Sequence, residues 1–103
     1  MADNEWFQLR RQSDDLVYTF RRRPLANGDA GYQRQDQDLW ITFRQSLGWV
    51  AWDEASQTIM GRPWDAPPED QGDHPPEGVW VSRKGPKSYV YDLVYIDRPD
   101  NAR

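Results

Sequence analysis

The sequence predicts an all-β fold, a small antiparallel sandwich or barrel of about seven or eight short strands with one long, proline-rich acidic loop. Three observations lead there. Apolar and polar residues alternate over short runs, most clearly at residues 39–44 and at Leu16, Tyr18 and Phe20, as strands with a buried face require. Clusters of Gly, Pro, Asp and Asn interrupt the runs about every eight to twelve residues, the spacing of sandwiches and barrels. No amphipathic stretch is long enough for a sizeable helix.

Residues 5–12 read as a strand with Phe7 and Leu9 facing the core. A turn at Gln12, Ser13, Asp14 and Asp15 follows, and Leu16, Tyr18 and Phe20 then alternate, which completes a hairpin. That hairpin puts Arg10 and Arg11 at its turn and Arg21, Arg22 and Arg23 at the opposite end. Residues 24–31 contain an Asn-Gly step suited to positive φ and form a loop. Residues 32–35 are expected as a short edge strand, with Arg34 and Asp36 discouraging pairing with other molecules.

The central stretch, residues 39–64, holds four of the six tryptophans. Leu39, Ile41 and Phe43 share one strand face and Trp40, Thr42 and Arg44 the other. Residues 45–48 turn the chain, and 49–52 form a second strand in which Trp49 and Trp52 take opposite faces. Residues 53–56 make a hairpin loop whose carboxylates accept backbone N–H bonds. Residues 57–60 return as a third strand, which Gly61-Arg62-Pro63 is expected to end.

Residues 65–78 contain four prolines and two glycines, which rule out a long helix or a ladder. With no large apolar anchor after Trp64, this loop is expected to be mobile and dispensable for folding. Residues 79–83 and 88–96 then form strands around a Lys84-Gly85-Pro86-Lys87 turn. The last is apolar on both faces, as a strand paired on both sides should be.

One domain spanning residues 5–97 is expected, with residues 1–4 and 98–103 as disordered tails. Absence of cysteine excludes disulfides and thiolate metal sites. No signal-peptide pattern and no membrane-length apolar run is present, so a cytoplasmic protein without membrane attachment is the expectation. The net charge of −4 disfavours general attraction to nucleic acid.

Little in the sequence suggests catalysis. His74 is the single histidine, and neither a cysteine nucleophile nor a Gly-x-Ser-x-Gly elbow accompanies it. The adjacent carboxylate pairs Asp14-Asp15 and Glu69-Asp70 lie in turns, where geometry is loosely held. Asp65, Glu69, Asp70, Asp73, His74 and Glu77 lack the ligand spacing of a calcium loop, so neither metal nor cofactor is expected. Tryptophan, tyrosine and arginine are abundant, and these residue types dominate protein-interface hot spots. The expected function is recognition of a protein partner by Arg21, Arg22 and Arg23 together with outward aromatics, Trp52 and Trp80. A glycan or single-stranded nucleic acid bound by the same aromatics and arginines is the alternative.

Overall fold

The computed structural model describes residues 5–25, 30–36, 39–53, 55–84 and 86–97. The expected disordered tails lie outside these residues. Eight strands follow in order: β1 (Trp6–Arg11), β2 (Val17–Pro24), β3 (Ala30–Arg34), β4 (Trp40–Arg44), β5 (Gly48–Asp53), β6 (Thr58–Pro63), β7 (Gly78–Lys84) and β8 (Lys87–Ile96). Each pairs antiparallel with the next, and β8 pairs with β1, so the sheet closes into an up-and-down barrel. The other regular element described is a 3₁₀ turn at Pro68–Asp70.

Alternation decides which side chains fill the barrel. Phe7 lies opposite Phe20 and Tyr95, Leu9 opposite Tyr18 and Leu93, and Trp80 opposite Tyr91. Tyr32, Ile41 and Ala51 continue the same inner face through β3, β4 and β5. The result is one continuous core of Phe7, Leu9, Phe20, Tyr32, Ile41, Trp49, Ala51, Trp80, Tyr91 and Leu93. Phe7 stacks on Phe20 at 5.0 Å between ring centres, and Tyr32 meets Trp49 edge-on at 6.0 Å. Such aromatic pairs contribute about 0.5–1.5 kcal/mol beyond their area.

Three expectations change. Residues 32–35 are not an edge, because β3 pairs with both β2 and β4; closure of the sheet removes the edge that Arg34 and Asp36 were expected to protect. Pro63 does not end β6 early. Arg62 and Pro63 still pair with β7, and the missing proline donor is tolerated at the strand's last position. Between β5 and β6 the register shifts, Trp52 facing Ile59 and Ala51 facing Gly61, so Met60 is the extra residue of a bulge.

The third change concerns the long loop. It closes one end of the barrel instead of hanging free. Gln71 accepts the Trp49 backbone N–H through Oε1 (2.7 Å) and donates from Nε2 to the Ala66 carbonyl (2.6 Å). The Trp49 indole donates to the Gly72 carbonyl (3.1 Å) and the Trp80 indole to the Pro76 carbonyl (3.0 Å). Pro75 is fully buried, and its carbonyl accepts the Tyr95 hydroxyl at 2.6 Å. Gly48 permits the crossing: its φ is +78°, and a Cβ there would lie 2.6 Å from Gln71 Oε1.

Candidate functional site

The residues nominated from sequence do not assemble into one patch. Register puts Arg21 and Arg23 on the outside of β2 and Arg22 on the inside. Arg21 lies over the Trp6 ring (5.2 Å) and 3.9 Å from Glu5 Oε2. Arg22, solvent-exposed at the plugged end, adds its positive charge to the influences holding the Asp73 carboxyl below its usual range; the hydrogen bond from His74 is the larger cause. Trp80 is 2% exposed and sits in the core, so it cannot meet a partner. Its neighbours Val79 and Val81 are both apolar, and alternation in sequence therefore left its direction open. Trp52 is outward and half-buried, with the Arg44 guanidinium 3.9 Å above its ring. Arg22 and Trp52 do border one broad depression of about 820 Å³, together with Trp40 and Phe43.

A more exposed apolar surface lies further round the barrel. Outward residues run in register from Trp40 through Trp52 to Ile59, and Arg62, Val81 and Val90 form a second row across β6, β7 and β8. Trp64, just past β6, is 65% exposed, the highest value among the large apolar residues described. Its backbone N–H donates to the Val79 carbonyl at 2.8 Å, so the ring is displayed from an anchored position. Ile59, Trp64, Val79, Val81 and Val90 line a shallow groove of about 720 Å³. The charged groups lining it are Arg62 and Arg83; among the described residues it has no carboxylate.

The end of the barrel away from the long loop has different chemistry. Arg11 and Arg34 follow the inner-face parity of Leu9 and Tyr32, so both enter the barrel. Their side chains are 17% and 13% exposed. Arg11 donates from Nε to Asp14 Oδ1 (2.8 Å), and Arg34 donates to both carboxylate oxygens of Asp36. Arg34 stacks on Tyr18 at 3.9 Å and Arg11 on Tyr89 at 4.7 Å. These contacts hold the Asp14 and Asp36 carboxyls below their usual range, chiefly through the guanidinium hydrogen bonds. Burial pushes the Tyr91 phenol up, partly offset by a hydrogen bond with Arg11, so it stays protonated. The mouth encloses about 190 Å³, with Met60, Ser82 and Trp80 among its walls and floor.

Among the described residues, no three of His, Asp and Glu gather as metal ligands. His74 bonds to Asp73 at 2.8 Å and packs edge-on against Tyr95, on the plugging loop. No helix among the described residues is long and apolar enough to cross a membrane. Comparison with family models, curated proteins and solved structures yields no match.

Proposed function

We propose that this protein is a non-catalytic binding module that docks a protein partner on the outside of its barrel, through Trp64 and the apolar strip on β6–β8. The observation that carries the reading is the anchored, two-thirds exposed Trp64 in a groove whose charged lining is entirely arginine. Contiguous exposed apolar surface of this kind marks interaction sites, and a tryptophan flanked by arginines has the residue types of a hot spot once a partner covers it. A closed barrel offers no strand edge for augmentation, so side chains must do the recognising. The chain as a whole carries a net charge of −4, which makes the local cationic rim selective. It suits a partner segment with apolar side chains and neighbouring carboxylates.

Trp64→Ser tests the proposal. The ring is two-thirds exposed in the free protein, so stability should stay within about 0.5 kcal/mol of wild type. Partners recovered from the native cell with wild type but not with the variant would then be purified and titrated. Loss of the ring should weaken the complex by about 2 kcal/mol or more, roughly thirtyfold. Added salt should weaken the wild-type complex as well. Unchanged affinity would remove Trp64 from the interface. Concentration-dependent self-association lost in the variant would give the groove to a second copy of the chain. Selective loss of a glycan or an oligonucleotide would favour that ligand over a protein.

A further inference from the structure

We infer that the open end of the barrel binds a small carboxylate carried on a single aromatic ring, with Arg11 and Arg34 holding the acid and the tyrosine-lined wall holding the ring. This site is separate from the outer groove and does not depend on it.

Placing two arginines on the inner face of a small barrel is costly. Charged side chains rarely turn inward unless paired, and the remaining interior is mainly aromatic and aliphatic. Pairing with Asp14 and Asp36 offsets part of that cost but does not explain the position, since a surface pair needs no inward register. Each carboxylate engages Nε and one terminal nitrogen of its guanidinium. The second terminal nitrogen of each arginine has no carboxylate on it among the described residues. A guanidinium has five N–H donors in a planar fork. Arg11 uses one more on the Tyr91 hydroxyl. Among the described residues each fork still keeps N–H groups that Asp14, Asp36 and Tyr91 do not take.

The arginines are also held in place. Asp14 and Asp36, themselves 49% and 63% exposed, grip them from the solvent side while Tyr89 and Tyr18 lie against their faces. That arrangement removes side-chain freedom before a ligand arrives, which lowers the cost of binding. One strand, β2, separates β1 from β3, so the two backbones are about 10 Å apart. An acid group entering between the arginines is within reach of both long side chains.

Size and wall chemistry define the rest of the ligand. The mouth holds about 190 Å³, somewhat more than the roughly 150 Å³ cavity known to accept benzene. Tyr18, Tyr89, Tyr91, Met60 and Trp80 give it aromatic and thioether surfaces, with Ser82 as a polar point. One ring with one carboxylate fills that space and matches both kinds of wall. A long acyl chain exceeds it.

The test is a two-dimensional amide NMR titration of the full chain with benzoate, benzamide, cyclohexanecarboxylate and inorganic phosphate. Benzoate should bind saturably near millimolar strength, about −4 kcal/mol, shifting the amides of Leu9, Arg34, Ser82 and Tyr91. Benzamide keeps the ring without the charge, phosphate the charge without the ring, and cyclohexanecarboxylate the acid without aromaticity. Each should bind at least about tenfold more weakly, as loss of one charge-assisted or stacking contact implies. Arg34→Gln should weaken benzoate by a similar factor. If that variant fails to fold, the ligand series in wild type still decides the matter. Equal binding of benzamide would overturn the role of the arginines, and equal binding of phosphate or cyclohexanecarboxylate the role of the ring. Shifts confined to the outer groove, or no saturable shift by about 20 mM, would overturn the site.

Discussion

Replacing Gln71 by alanine probes whether the long loop is part of the folded structure or an appendage. Its side chain makes two bonds at once, accepting from Trp49 N–H at 2.7 Å and donating to Ala66 carbonyl at 2.6 Å. Trp49 is 4% exposed, so truncation leaves its backbone donor facing protein instead of water. A buried donor left unsatisfied costs about 1–3 kcal/mol, and the second bond contributes about 0.5–1.5 kcal/mol. The sum is about 2–4 kcal/mol, which in a domain near 100 residues lowers Tm by roughly 10–20 °C. Urea unfolding followed by tryptophan fluorescence measures it directly, with the slope checked for constancy so that the midpoint shift reports stability. Gln71→Glu retains an acceptor for Trp49 but sets a carboxylate oxygen against the Ala66 carbonyl in place of a donor, so it should not restore wild-type stability. A loss below about 1 kcal/mol for the alanine variant would refute the reasoning. Residues 65–77 would then be as dispensable as their proline content suggests.

Two further outcomes follow from the same contacts. Gly48→Ala combines a positive φ with a Cβ placed 2.6 Å from Gln71 Oε1, so it should destabilise by about 2 kcal/mol or more in the same assay, with Gln71→Ala relieving part of the loss. Asp14 and Asp36 have carboxyls held below their ordinary range in the folded state, mainly by Arg11 and Arg34. Their contribution is therefore present above the ordinary carboxylate range and is lost as pH falls through their lowered values, below about pH 4; urea midpoints should fall there, and less steeply in Asp36→Asn.

Much of the barrel was legible because its strands keep strict parity. Phe7 with Leu9, Leu39 with Ile41, and Tyr91 with Leu93 are each spaced two apart on one strand face, and all six turn to the barrel's interior. Phe43 has the same parity but is 51% exposed, because it reaches the rim where the interior ends. Closure was not legible: alternation describes one strand at a time, whereas pairing of β1 with β8 depends on the curvature of the whole sheet. The attachment of the loop was not legible, because hydropathy finds apolar anchors. Here the anchors are an amide side chain, two indole N–H groups and a buried proline. For the mouth a signal did exist. Arg11 lies two residues from Leu9 and Arg34 two from Tyr32, and the parity that places the apolar pair inside places the arginines there too. Charge led them to be assigned to the surface.

Pairing of β1 with β8 also has a consequence in time. Trp6 finds its partner at Ile96, ninety positions later in the chain. During synthesis at about 5–20 residues per second, β1 waits roughly 5–20 s for the strand that covers its second flank. Until then the growing sheet has an open side, and the hairpin of β1 and β2 is a template for neighbouring nascent chains. Arg10, Arg21 and Arg23 stand on that hairpin's outer surface, and their mutual repulsion between molecules opposes stacking of unfinished sheets. Like charge on that outer face is therefore in place before the sheet closes, when unfinished sheets have most to gain from being kept apart.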